Sequence, residues 1–213
     1  MARHHSGRVL ATFAPMDEKA LKEAWEAAEK ALIENQKTDL DYGVRDGNAP
    51  IAPWPTQPCK LIFLDFDGVL NSELSVSQFG TRYKFWPPSM QALNQLLSES
   101  GALIVISSTW REHCTLKENA ASLERAGLLR GRVVGKTCVA DGARGRQIDS
   151  WLKSAPYPVE TFVILDDKDD MEMHHERLVK VDPSVGLGAK EVRRALELLK
   201  RTGAQRPQND INR

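Results

Sequence analysis

Three stretches of the chain are apolar without interruption, and each runs straight into polar residues. Leu61-Ile62-Phe63-Leu64 ends at Asp65, Ala102-Leu103-Ile104-Val105-Ile106 at Ser107, and Phe162-Val163-Ile164-Leu165 at Asp166. An unbroken apolar run suits a strand covered on both faces, so these three read as buried strands of a parallel sheet. Elsewhere apolar residues recur at helical spacing. Met90, Leu93, Leu96 and Leu97 predict a helix that Pro87-Pro88-Ser89 opens and Gly101 closes. Leu116, Ala120 and Leu123 predict a second, stopping near Gly127. Ile148, Trp151 and Leu152 predict a third, starting at Arg146 after a glycine-flanked turn from Gly142 to Gly145 around Arg144. Val192, Ala195, Leu196 and Leu199 predict a closing helix over Gly188 to Lys200. Shorter strands are expected at 132–134 and 178–181. Strand alternating with helix implies an α/β fold, a doubly wound Rossmann-like parallel sheet. Such sheets bind ligands at the C-terminal edge of their strands, where all three polar clusters fall.

Ahead of the first strand the pattern changes twice. From Asp17, the residues Leu21, Trp25, Ala28 and Leu32 form one stripe of an amphipathic helix of about five turns. The stripe is narrow and half alanine. It suits packing on the core domain, on a second copy in a homodimer, or on a partner. Residues 38–58 then hold Gly43, Asp46-Gly47, Pro50, Pro53, Pro55 and Pro58, which exclude a long helix or a central strand. They predict an extended linker that Ile51 and Trp54 can pin to the domain. The expected organisation is an N-terminal arm and helix over 1–37, the linker over 38–58, a catalytic domain over 59–201 and a polar tail over 202–213.

Composition narrows the partners. Lys+Arg and Asp+Glu each number 29 among 213 residues, so no global field draws the protein to nucleic acid or to an anionic membrane. No apolar run approaches a membrane span, and the first residues lack the apolar core of a signal peptide. The expectation is a soluble, cytoplasmic protein without a membrane partner. Cys59, Cys114 and Cys138 are odd in number and widely spaced, which argues against a disulfide framework or a zinc site. They are expected to be ordinary buried or half-buried thiols.

The strand ends carry the candidate chemistry. Asp65 and Asp67 stand at i and i+2, on one face of a strand, and Gly68 offers a turn out of it. Ser107, Asp166 and Asp167 join them from the other two strand ends. Four carboxylates in one crevice repel each other, and hard oxygen donors without His or Cys point to Mg²⁺. A basic pole is available from Arg111, Arg144 or Arg146, with Lys136 a further candidate. A metal ion facing cations, with a hydroxyl between, is a phosphoryl-binding arrangement. Asp65 suits attack on phosphorus to form an acyl phosphate, and Asp67 suits protonation of the leaving oxygen followed by deprotonation of water.

Asp65-Phe66-Asp67-Gly68-Val69, a strand ending in Ser107, a basic residue opening a later helix and Asp166-Asp167 resemble, in order, the four motifs of the haloacid dehalogenase (HAD) superfamily. The resemblance spans Lys60 to about Lys200. It implies Asp65 as nucleophile, Asp67 as acid/base, Ser107 on the transferring phosphoryl group, and a Lys or Arg steadying both. It also implies Mg²⁺ held by Asp65, the Asp67 carbonyl and Asp166, with Asp167 close by. For the third motif the family often uses Lys, available as Lys136. Arg146, at a helix start 20 positions before Asp166, fits the placement better. The segments around Ser107-Ser108-Thr109-Trp110-Arg111, Gly145–Leu152 and Ile164–Asp170 are similar to HAD domains fused to RNA-repair enzymes and to the phosphatase half of polynucleotide kinase-phosphatases. That likeness implies Arg111 as a second phosphate ligand; Ser108, Lys136 and Arg144 are further substrate-binding candidates.

The stretch between Asp67 and Ser89 is too short for a helical cap domain, so the cap is minimal and the site open. Arg82, Tyr83, Lys84, Phe85 and Trp86 would lie at its rim, where Tyr83 and Trp86 could stack on bases; alternatively, Phe85 and Trp86 cover the helix end. His174 and His175 point apart on a helix and suit a solvated face. Asp170 either caps a turn or helps position the metal. The expected function is a Mg²⁺-dependent phosphatase acting on an RNA or DNA end or a nucleotide. Rival readings are a HAD-fold protein phosphatase and a non-catalytic phosphate-sensing protein.

Overall fold

The first apolar run builds β1 (Cys59–Leu64), the central strand of a five-stranded, all-parallel sheet ordered β3-β2-β1-β4-β5. The other strands are β2 (Leu103–Ile106), β3 (Val133–Lys136), β4 (Val159–Asp166) and β5 (Leu178–Lys180). The computed structural model describes residues 55–138 and 142–201. The amphipathic helix, the linker up to residue 54 and the tail from 202 lie outside these described residues.

Among the described residues, five α-helices flank the strands. They are α1 (Glu73–Phe79), α2 (Pro87–Ser100), α3 (Leu116–Arg125), α4 (Arg144–Ser154) and α5 (Ala189–Lys200). Two 3-10 helices, Thr109–Glu112 and Glu172–Arg177, follow β2 and β4. Because side chains alternate along a strand, the sheet has two apolar faces. Ile62, Leu64, Ile104, Ile106, Val163 and Leu165 pack with α2, α3 and α5 on one face. Leu61, Phe63, Val105 and Ile164 pack with Ile148 of α4 and with Met171 on the other. Burying each such side chain is worth about 1.5–3 kcal/mol, which fixes the register as well as the layers.

That register sets up the site. Leu64 pairs with Ile106 on one side and with Leu165 on the other. The next residues along the three strands are Asp65, Ser107 and Asp166, so they stand abreast. Main-chain bonds from Asp65 N to the Leu165 carbonyl (3.0 Å) and from Ser107 N to the Leu64 carbonyl (2.9 Å) continue the ladder to that row. The chain builds outward from β1 through β2 to β3, then returns to β4 on the opposite flank. The crevice between β1 and β4 is therefore the switch point of the sheet.

Two elements differ from the sequence expectation. Helix α1 is not predicted by the apolar pattern: Ser72 accepts from Ser75 N at 3.2 Å and Gly80, at φ 66°, closes the far end. It is a single short helix, so the cap is minimal. Helix α4 starts at Arg144 instead of Arg146. Gly145 is not a turn residue here. It lies in the first turn of α4, where a Cβ would collide with the Met171 carbonyl.

Candidate active site

Asp65 is buried at the end of β1. Its Oδ1 accepts the Phe66 amide at 2.8 Å, and its Oδ2 faces Nη1 of Arg144 at 3.2 Å. Asp166, fully buried, accepts the Lys168 amide on Oδ1 (2.9 Å) and faces the same Nη1 at 3.1 Å through Oδ2. Asp167 completes the group: Asp65, Asp166 and Asp167 each offer one oxygen, all within 4.8 Å of one another. At an effective dielectric near 20, each such pair of charges repels by about 3.5 kcal/mol. Burial, and then the charge of Asp65, raise the Asp166 carboxyl to about 7 despite Arg144. The same two causes raise Asp167. One guanidinium does not neutralise three acids.

This donor set fits Mg²⁺. It consists of hard oxygens in an acidic pocket, and Asp166 Oδ2 is buried without a directed hydrogen bond. Gly68 lets Asp167 come in close: at φ 77° it turns the chain out of β1, and an added Cβ would lie 2.8 Å from the Asp167 side chain.

Arg144 joins the acids to the end of β2. Burial alone would lower its pKa, but Asp65 and Asp166 outweigh that and raise it. Its Nη1 also donates to the Ser107 carbonyl at 2.6 Å. The start of α4 is held by Asp170, whose Oδ2 accepts the Arg144 amide (3.1 Å) and whose carbonyl accepts the Gly145 amide (3.2 Å). Asp170 thus caps a helix. Ser107 is buried at the end of β2 and its hydroxyl has no hydrogen-bond partner.

Several candidates sit elsewhere. Arg146 points outward, its side chain 64% exposed and paired with Glu172 at 2.9 Å. As the second residue beyond Arg144 on a helix, it turns about 200° away from it. Arg144 is the cation on the acids, and the expectation for Arg146 is corrected. Lys136 donates to the carbonyls of Arg111 and Cys114, both at 3.2 Å, and braces the turn after β2. Ser108 is buried as the cap of that turn. Arg111 is buried as well, bonded to the Ser107 and Ser108 carbonyls and to Gln147 Oε1. Burial and the neighbouring Arg144 lower its pKa.

Asp67 lies at the mouth, half-buried, and its side chain is not part of the three-acid cluster. Asn71 Nδ2 donates to Oδ1 at 2.8 Å and Trp110 Nε1 donates to Oδ2 at 3.0 Å. Sequence alone assigns neither donor a role. An open cavity of about 420 Å³ runs from Asp67 and Asp167 past Asn71 and Ser72 to Arg82. Tyr83 stands at the rim, 77% exposed, with its ring 5.7 Å from that of Trp110. Trp86 is corrected: only 5% exposed, it packs on Phe79 at 5.5 Å ahead of α2 and presents no face to a base. Phe85 is buried beside it.

Of the thiols, Cys59 and Cys114 are half-buried and Cys138 is exposed, all unpaired. His174 sits edge-on to Phe162 and is half-buried, whereas His175 is exposed.

A parallel sheet with these acids at the ends of β1 and β4, a hydroxyl at the end of β2 and a cation from α4 defines a hydrolase-type core of the HAD class. The chain belongs to the family described as the HAD domain in Swiss Army Knife RNA repair proteins, whose model matches residues 61–192. No curated protein and no solved structure matches the chain. Among the described residues, no helix is long and apolar enough to cross a membrane.

Proposed function

We propose that this protein is a Mg²⁺-dependent phosphomonoesterase that works through an aspartyl-phosphate on Asp65 and takes a phosphorylated nucleic-acid end as substrate. The observation that carries the reading is the row Asp65, Ser107 and Asp166, abreast on three adjacent strands, with Arg144 bridging the two acids and the serine carbonyl. Asp65, Asp166 and Asp167 would hold Mg²⁺, which when bound neutralises the acids and draws charge from the phosphoryl oxygens.

The residues of the chain divide the remaining work. The Ser107 hydroxyl, without a protein partner, donates to a phosphoryl oxygen. Arg144 holds Asp65 in place through its ion pair. An Asp65 oxygen attacks phosphorus, and the bond from phosphorus to the ester oxygen breaks as Asp67 gives that oxygen a proton. Water then attacks the acyl phosphate, Asp67 takes its proton, and inorganic phosphate leaves with Asp65 restored.

Two observations favour a polynucleotide end over a small metabolite. Among the described residues no domain covers the site, and Arg82, Tyr83 and Lys84 are exposed beside it, two cations and a ring. The RNA-repair setting named for the family agrees with this. The test is phosphate release, with and without Mg²⁺, from oligonucleotides phosphorylated at either end, mononucleotides and phosphopeptides. Preference for an oligonucleotide end supports the reading, and preference for phosphopeptides overturns its substrate.

A further inference from the structure

The proton shuttle of the proposed reaction has a fixed holder. We infer that Trp110 is a positioning residue for Asp67, fixing the direction of one carboxylate oxygen through its indole N–H. The inference rests on the phosphatase reading of the site.

Trp110 follows β2 in the 3-10 helix Thr109–Glu112, three residues after Ser107. Its indole N–H meets Asp67 Oδ2 at 3.0 Å across 43 positions of sequence, and Asn71 holds the other oxygen at 2.8 Å. Each oxygen of Asp67 thus receives one neutral donor and keeps a lone pair for the proton it must carry. An indole N–H donates only, and it does not titrate in the working range. It therefore cannot take the proton that Asp67 gives and recovers, as an imidazole or a second carboxyl could.

The ring itself has little freedom. It stacks on Phe85 at 5.5 Å and 28° and meets the edge of Phe66 at 5.5 Å. Phe66 is the residue between Asp65 and Asp67, so the residue that links the two acids in the chain also anchors the holder of the second. Ser108 Oγ accepts the Trp110 amide at 3.4 Å, which ties the indole to the turn carrying Ser107. The turn after β2 therefore sets both the phosphoryl-binding hydroxyl and the direction of the proton donor.

Leaving groups of different basicity separate this role from a merely structural one. Nitrophenolate leaves without a proton, whereas an alkoxide needs one, so loss of acid alignment falls on alkyl phosphates in kcat/KM. Trp110→Phe keeps the ring packing and removes the N–H. Its kcat/KM is expected to fall about tenfold more on glycerol phosphate than on nitrophenyl phosphate, a part of the full contribution of general acid catalysis. Trp110→His, assayed at pH 8 where a free imidazole is neutral and offers a ring N–H, should recover part of that difference and carries the test if the Phe variant does not fold. In an Asp67→Asn background, Trp110→Phe should add no further leaving-group dependence. Equal losses on both substrates, or an undiminished effect in the Asp67→Asn background, overturn the inference while leaving the phosphatase reading intact. A folded wild-type protein that releases no phosphate from either substrate overturns both.

Discussion

Two arginines in one helix turn make opposite predictions. Arg144 touches two buried carboxylates at 3.1 and 3.2 Å, whereas Arg146 touches one half-exposed glutamate at the surface. Replacing Arg144 by Met keeps the aliphatic stem and removes the charge from a cluster of three acids. Breaking a buried pair in this way costs about 3–5 kcal/mol, because a desolvated charge is left without a partner. Asp166, already raised to about 7, limits the loss by holding its proton more firmly. The net expectation for Arg144→Met in EDTA near neutral pH is about 3 kcal/mol, or roughly 6–12 °C in Tm for a domain of this size. Arg146→Met should cost less than about 0.5 kcal/mol, since an exposed pair contributes little. Thermal and urea unfolding of both variants, in EDTA and in excess Mg²⁺, decides the matter. Mg²⁺ should shrink the Arg144→Met deficit by supplying the missing charge. Comparable destabilisation by the two variants, or a deficit for Arg144→Met under about 0.5 kcal/mol, would refute the electrostatic account of the site.

Two further predictions follow from the same geometry. The raised Asp166 pKa means that the fold favours the protonated carboxyl. Its contribution to metal-free stability is complete below the unfolded value near 4 and is lost as pH rises through about 7. A rise from 3.8 to about 7 corresponds to about 4 kcal/mol, reduced to roughly 1–3 kcal/mol by relaxation and water penetration. Asp166→Asn should therefore be more stable than wild type in EDTA at pH 8, lose that advantage near pH 4–5, and gain nothing from Mg²⁺; urea midpoints across pH measure this. Gly145→Ala should cost about 1–3 kcal/mol by overpacking against the Met171 carbonyl and should lower turnover by shifting Arg144, as unfolding and steady-state kinetics together would register.

What the sequence could reveal followed from local periodicity. The runs ending at Asp65, Ser107 and Asp166 are continuous because both faces of the sheet are covered, and one shared register places those residues abreast. The apolar stripes of α2, α3 and α5 were legible for the same reason. Arg144 was a candidate for the basic pole, but the choice of it over Arg146 was not legible, because glycine marks both turns and close approaches. Gly145 belongs to the second kind, and only the path of Met171 reveals it. Trp86 looked like part of a rim because cations and aromatics surround it, yet its ring closes on Phe79, a contact that no period encodes. Helix α1 has too few turns to show a stripe, and Ser72 and Gly80 alone delimit it. The bond from Trp110 to Asp67 spans β1 and β2, so it exists only once the strands are paired.

The central claim is that Asp65 attacks phosphorus with Mg²⁺ held beside it. Its most direct test is the rate of phosphate release from nitrophenyl phosphate and from a phosphorylated oligonucleotide, for wild type and Asp65→Asn across a Mg²⁺ titration. Wild-type turnover that rises with Mg²⁺ and vanishes in EDTA, with none above background in a folded Asp65→Asn protein, is the predicted result. Turnover retained by Asp65→Asn, or undiminished in EDTA, would contradict it.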